Sequence, residues 1–394
     1  MMQPIELSLI KKVLVIKTRH HGDVLLTSPI FSLLKKKLPA AQIDAYIYSE
    51  TLPMLEGHPA ITGFLLYDRK WKKLKIWTKL FKEWSLLWRS RKNHYDLVIN
   101  LTEGDRGAII GKFSGARYRV GFDPEGDGLF GKKRFYTHII KHCPYQRHTV
   151  EKQLDALRCL GIFPEPDERD LFLHISQEVV EKMQGRLQEA GMFPENFVLI
   201  HPVSRWLFKC LAPQQIACLL EKLSARGEKI VITASPDPDE MAMVAEILRL
   251  VPYVPICNLA GKTNLKELAA LIKLCRGLIC VDSVPLHMAS ALKAPVVAIF
   301  GPSSDLNWGP WMHPKARVVA QKFSCRPCYR DGCGGSQKSD CLLTLSVDQI
   351  LAAFDNLFLV SAQEHQRGFV QLATGIPVYS KGIAIPSTSK IKDD

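Results

Sequence analysis

Val13-Leu14-Val15-Ile16-Lys17, then Val24 to Lys37, then Ile43 to Tyr48: these three stretches decide the fold. The first and third are short runs rich in β-branched and aromatic residues, the pattern of buried strands, while the middle one repeats its apolar residues at helical spacing. The unit is β-α-β. Asp96 to Leu101 predicts a further buried strand, and His148 to Leu160 predicts a helix ended by Gly161, with Pro164 and Pro166 opening a linker. After Gly191 the pattern restarts. Strands are expected at Phe197 to His201, Lys229 to Thr233, around Val254, Gly277 to Val281 and Pro295 to Phe300. Helices are expected between them near Pro213 to Arg226, Asp239 to Leu250, Leu265 to Cys275 and Pro285 to Leu292. Such alternation favours parallel sheets covered by helices on both faces. Two units in tandem predict an α/β protein of two doubly wound domains facing a cleft, with ligands at the carboxyl ends of the strands.

A chain of 394 residues that is 47% apolar can bury two cores of ordinary size. No run of eighteen apolar residues occurs, and the apolar stretch Leu7 to Ile16 is broken by Lys11 and Lys12, so neither a spanning helix nor a signal peptide is expected. The formal charge of +13 favours an acidic partner, whether nucleic acid, anionic membrane or phosphorylated substrate. Without a signal segment, most of the eleven cysteines read as reduced thiols.

The loop Thr18-Arg19-His20-His21-Gly22-Asp23 joins a strand to a helix and places one carboxylate among several cations. Asp23 there is a candidate general base, or a helix cap, which is the commoner use of Asp at such a position. Val281-Asp282-Ser283-Val284-Pro285-Leu286-His287 sets an acid, a hydroxyl and an imidazole at another strand-to-helix junction, where backbone N–H groups and the helix dipole favour an anion such as a diphosphate. The plainer alternative for His287 is a packed first-turn histidine. Leu259-Ala260-Gly261-Lys262-Thr263 imitates the tail of a P-loop, but Ile256 stands where that motif needs glycine, and no strand-flanked G-x-G-x-x-G occurs for a nicotinamide dinucleotide. Asp237-Pro238-Asp239 imitates a metal-holding acidic pair, a common coincidence.

Taken together and in order, Lys17-Thr18, Gly22-Asp23-Val24-Leu25-Leu26-Thr27-Ser28-Pro29, His201-Pro202, Gly261-Lys262-Thr263, Val281-Asp282-Ser283 with His287, and Phe300-Gly301-Pro302 resemble the ADP-heptose:lipopolysaccharide heptosyltransferase family. The resemblance covers roughly residues 11 to 355, and within the family the enzymes that add the third, branching heptose are the most similar. It implies a GT-B type glycosyltransferase of two Rossmann-like domains: an acceptor-binding domain over 1–180, an ADP-heptose-binding domain over 181–360, and a tail over 361–394. It implies an inverting transfer of heptose onto a heptose of the lipopolysaccharide inner core, with Asp23 as base and no catalytic metal or cofactor. Donor contacts are implied at Ser204, Lys209, Glu240, Gly261, Lys262, Thr263, Asp282, Ser283 and His287. Val284 stands where the family often has glycine. Lys17 and Arg19 flank the base loop and are candidate contacts for a phosphorylated acceptor, with a solvent-facing role as the alternative.

Between Arg69 and Lys92 lie ten Lys or Arg against the single acid Glu83, interleaved with Trp71, Trp77, Trp84 and Trp88. Leu74, Trp77, Phe81, Trp84 and Trp88 share one helical face, so the segment either lies on an anionic bilayer or docks on the first domain with a solvated basic face. The resemblance places the protein in the cytoplasm, peripheral to the inner face of the inner membrane. Cys325, Cys328, Cys333 and Cys341 are spaced closely enough for a structural zinc, although not in the paired C-x2-C plan, and a loop of reduced thiols is the alternative. Two other functions remain at this stage. One is a different sugar-nucleotide transferase or epimerase of the same fold. The other is a basic, zinc-containing nucleic-acid-binding protein, which would leave the two β/α units unexplained; nucleic acid is therefore not an expected partner.

Overall fold

The computed structural model describes residues 5–359. In the first half the order is β1 (Lys12–Lys17), α1 (His21–Leu25), α2 (Ser28–Lys37), β2 (Gln42–Tyr48), β3 (Gly63–Tyr67), α3 (Ile76–Lys92), β4 (Leu97–Asn100), α4 (Asp105–Phe113), β5 (Tyr118–Phe122), β6 (His138–Ile140) and α5 (Thr149–Arg158). The second half follows with α6 (Gln177–Glu189), β7 (Phe197–His201), α7 (Pro213–Ala225), β8 (Lys229–Ile232), α8 (Pro238–Leu250), β9 (Ile256–Asn258), α9 (Leu265–Leu274), β10 (Gly277–Val281) and α10 (Val284–Leu292). It closes with β11 (Val296–Phe300), α11 (Asp305–Trp308), β12 (Ala316–Ala320), α12 (Asp340–Leu343) and α13 (Val347–Asp355).

The strands form two six-stranded sheets, ordered β3-β2-β1-β4-β5-β6 and β12-β11-β10-β7-β8-β9, and every pairing is parallel. Read from β9, the second order repeats the first. In each sheet the strand order reverses at one place, between β1 and β4 and between β7 and β10, which is where doubly wound folds bind ligands. The central strands are apolar without alternation because helices cover both faces: Val13, Leu14, Val15 and Ile16 of β1, like all of β10, are buried.

Local chemistry shifted some boundaries. The single helix expected over Val24 to Lys37 is two: Thr27 Oγ1 donates to Val24 O at 2.6 Å, and Pro29 at the start of α2 has no N–H for the ladder, so α1 stops at Leu25. The strand expected around Val254 forms two residues later as β9, because Val254 closes a turn whose N–H bonds Val251 O. Strands β3, β5, β6 and β12 and helices α4, α6, α11, α12 and α13 were not read from the sequence. Helix α6 follows the expected linker and packs on α9, where Lys182 Nζ meets Glu267 Oε1 at 2.7 Å. The tail expected over 361–394 lies outside the described residues.

Candidate active site

The site is built where the two reversal points face each other. After β1 the chain turns sharply: Thr18 N–H donates to Thr102 Oγ1 at 2.8 Å, tying this loop to the one after β4, and α1 then begins at His21. Gly22 lies directly against α10, where a Cβ on Gly22 would stand 2.7 Å from His287 Cδ2. Asp23 comes next in the chain and is half-buried. His20 meets Trp206 edge to face across the same junction, with ring centroids 5.4 Å apart. Residues 259 positions apart in sequence, Asp23 and Asp282, thus border one crevice; the charges of both carboxylates reach the His287 imidazole.

On the second half, Lys209 Nζ donates to Asp282 Oδ2 at 2.7 Å, and Ser303 Oγ donates to the same oxygen at 2.6 Å. Asp282 is buried, and its Oδ2 holds both Lys209 and Ser303. The ammonium also lies 5.0 Å from the Trp206 ring centroid. Burial pushes the His287 imidazole below its ordinary value; Asp282 and then Asp23 oppose that, and Lys209 adds to it. Its Nδ1 is a buried nitrogen with no hydrogen-bond partner among the described residues. Ser283 caps α10 in an extended conformation, with its Oγ donating to Val281 O at 3.2 Å. Pro285 removes one N–H from this helix start and Leu286 N–H bonds Ser283 O, so fewer donors face an anion here than the motif alone promised.

The remaining expected donor residues follow the next strands along the same edge. Ser204, after β7, is buried. Glu240 is buried in the first turn of α8, where its Oε2 accepts the Ser235 N–H at 2.9 Å. Cys210, its thiol pushed up to about 12 by burial, feels the charges of both Glu240 and Lys209, which links Glu240 to the same neighbourhood. Gly261 takes a left-handed φ of 68° that lets its N–H reach Ala234 O at 3.0 Å. Lys262 turns its ammonium back to Asn258 O at 3.1 Å, and Thr263 is half-buried beside it.

Lys17 differs from its expected role as an acceptor contact. It is buried and donates to Leu101 O at 3.0 Å; burial lowers its pKa and the neighbouring Asp23 carboxylate opposes that shift, so it lies beneath the loop that carries Asp23. Arg19 is exposed at the rim. The four cysteines of the 325–341 segment are not gathered into a ligand set. Among the described residues no group of three or more His, Cys, Asp or Glu side chains is placed to hold a metal. Cys341 is buried in α12, Cys325 and Cys333 are exposed, and the Cys333 sulfur accepts the Asp340 N–H at 3.4 Å. The loop is pinned by other means: Cys328 and Tyr329 N–H groups both donate to Pro302 O, at 3.1 and 3.0 Å.

Ser303, Trp206 and His20 belong to the site although sequence reasoning did not select them. Ser303 directly follows Phe300-Gly301-Pro302 at a strand end and carried a usable signal; the meeting of His20 and Trp206 is visible only in three dimensions.

The sequence pattern of glycosyltransferase family 9 (heptosyltransferase) matches residues 84–338. A lipopolysaccharide heptosyltransferase 3 of Escherichia coli is 36% identical over 311 residues, spanning 78% of this chain and 89% of that protein. The chain belongs to glycosyltransferase family 9. The K12 protein of the same name shares 35% identity with this heptosyltransferase over 351 residues, 89% of this chain and 98% of its own. Among solved structures, the family 9 glycosyl transferase of Veillonella parvula superposes with a TM-score of 0.73 at 23% identity, covering 89% of this chain and 98% of that one. E. coli ADP-heptose lps heptosyltransferase II does so with a TM-score of 0.72 at 21% identity, covering 90% and 99%. The heptosyltransferase therefore has the expected GT-B fold.

Proposed function

We propose that this heptosyltransferase moves heptose from ADP-heptose to a heptose of the lipopolysaccharide inner core, as the third, branching addition. The first half, carrying β1 to β6, would bind the acceptor and the second half the donor. The observation that carries the reading is the meeting of the Gly22-Asp23 turn with His287 and the Lys209–Asp282 pair at one crevice. An acceptor hydroxyl is a weak nucleophile near neutral pH, and Asp23, at the start of α1, takes its proton as the glycosidic bond forms. The anomeric carbon inverts in this single displacement. The departing ADP gathers negative charge, which Lys209 and the N–H groups at the start of α10 stabilise, while Glu240 is assigned to the nucleoside ribose and Ser204 and Gly261 to Thr263 to the rest of the donor. Lys209 is pre-aimed by Asp282 and Ser303, so little reorganisation accompanies charge development.

Similarity to the lipopolysaccharide heptosyltransferase 3 proteins supports the acceptor class. Among the described residues no helix is long and apolar enough to cross a membrane, and we assign the enzyme to the cytoplasmic face of the inner membrane, peripherally bound. The test is direct. ADP should raise the unfolding temperature where GDP and UDP do not, and Asp23→Ala should retain that protection while losing about 10²- to 10⁴-fold in transfer rate. Equal protection by all three nucleotides would remove the donor assignment, and unchanged turnover in Asp23→Ala would remove the base.

A further inference from the structure

The apolar face of α3 is not docked. The helix is anchored to the first domain through Leu86 and Ser90, its two buried residues, and through contacts with β3 and α4. Its large side chains are exposed: Trp77 is 80% exposed, Phe81 73%, Trp84 56% and Trp88 57%, with Ile76 and Leu80 beside them, although the Trp84 ring also meets Phe113 of α4 edge to face at 5.7 Å. Steps of four, three and four from Trp77 keep these four aromatics on one side of the helix. Exposed apolar surface of this continuity marks an interaction site rather than ordinary surface.

The charge around the stripe selects its occupant. Lys72, Lys73 and Lys75 precede the helix and Arg89, Arg91 and Lys92 end it, while Lys79 and Lys82 lie half-buried on the domain side, Lys82 Nζ 5.3 Å from the Trp71 ring centroid. The single carboxylate, Glu83, is turned toward the domain, where Tyr67 OH donates to it at 3.3 Å and Arg106 Nη2 lies 3.4 Å away. Nothing acidic on α3 therefore accompanies the aromatics outward. A second copy of this chain would bring the same cations against these, whereas an anionic bilayer neutralises them and accepts the aromatics at the headgroup level.

Topology fixes where such a surface would lie. Strand β3 ends at the carboxyl edge of the first sheet, the basic turn Arg69–Lys73 follows at once, and α3 runs back from that edge. The charge of Arg69 reaches His20 and His21 in the base loop, so the basic segment begins at the rim of the crevice. We propose that α3 with its preceding basic turn is an interfacial anchor that seats the enzyme on an anionic phospholipid surface, aromatics inserted and cations among the phosphates, with the crevice held beside the bilayer. For its purpose, though not its evidence, the anchor rests on the reading of the acceptor as a membrane glycolipid.

The full chain should float with phosphatidylcholine vesicles containing about 30 mol% phosphatidylglycerol and not with phosphatidylcholine alone. Trp77→Ser with Phe81→Ser should weaken that binding on the order of tenfold per residue, and Lys72→Gln, Lys73→Gln and Lys75→Gln together by roughly 100-fold at low salt. Because all five side chains are exposed, both variants should transfer heptose to a deacylated, soluble acceptor at the wild-type rate. Wild type that ignores anionic vesicles, or variants that bind them as wild type does, would overturn the anchor. So would a dimer in sedimentation that Trp77→Ser with Phe81→Ser dissociates, because the face would then belong to a second copy. Vesicle binding without any heptose transfer would uphold the anchor and remove the proposed function; transfer to soluble acceptor without vesicle binding would do the reverse.

Discussion

Gly22 is held to its identity by the imidazole that faces it. Since an added Cβ would meet His287 Cδ2 at 2.7 Å, Gly22→Ala must push α1 from α10, and Asp23 moves with it. A displacement near 1 Å at a reacting group costs about 10²-fold, so Gly22→Ala should lower single-turnover transfer by about that factor while ADP binds nearly as before; a wild-type single-turnover rate would show that the contact relaxes harmlessly. Lys209 invites the complementary change. Lys209→Ala leaves Asp282, buried and bonded only by Ser303, without its cation, a loss of roughly 2 kcal/mol in unfolding free energy since the ammonium is only partly buried. ADP protection should weaken at the same time, and denaturant unfolding with and without ADP separates the two losses. The meeting of Asp23, Asp282 and His287 was legible because each lies in the loop or first helical turn that follows a strand, where chain direction alone brings side chains to one edge. What Asp282 does was not legible, since its commitment to Lys209 and Ser303 joins three loops distant in sequence.

Elements were readable in proportion to their length and burial. Strands β1, β7, β10 and β11 announced themselves as unbroken apolar runs because both their faces are covered, whereas β6 and β12 are edge strands whose mixed composition looks like loop. Helix α3 shows the opposite limit: the spacing of its aromatics predicted one apolar face, but only the packing of Leu86 and Ser90 reveals that this face points outward. Helix α9 combines a legible local signal with a non-local one. Asn264 Oδ1 accepts the Glu267 N–H at 2.9 Å, Glu267 Oε2 accepts the Asn264 N–H at 2.9 Å, and the other Glu267 oxygen takes Lys182 from α6. Removing this capping box starts at its smaller partner: Asn264→Ala should lower the unfolding free energy by about 1 kcal/mol, read as a lower urea midpoint at unchanged slope. A changed slope would instead mean that α6 loosens from α9 before global unfolding.

At the scale of the whole molecule, the two halves are also pinned behind His287, whose charge acts on His148 and whose ring lies 6.4 Å from that of Trp308. His148 Nε2–H donates to Gly309 O at 3.0 Å, its Nδ1 accepts the Val150 N–H at 3.2 Å, and its ring stacks on Trp311 at 4.5 Å. Thr149 Oγ1 donates to Asn307 O at 3.0 Å, and Trp311 Nε1–H donates to Arg169 O at 2.8 Å. Both imidazole nitrogens are thus assigned to bonds that only the neutral ring can make, and burial pushes the His148 pKa down to about 3. His58, His201 and His313 are held at about 4 by burial as well. Released by unfolding, each ring would take a proton at its ordinary value near 6.5. Between these limits the unfolded chain binds more protons than the folded one, so stability rises with pH there. The contribution is complete above about pH 6.5 and is lost as the pH falls toward 4, by up to about 1.4 kcal/mol per pH unit for each ring. Urea midpoints measured from pH 7.5 to 5 should therefore fall steeply in the acid range. His148→Asn, which keeps an acceptor for Val150 N–H but cannot take a proton, should reduce that slope by close to one proton; parallel profiles for variant and wild type would mean that His148 is not among the groups that set it.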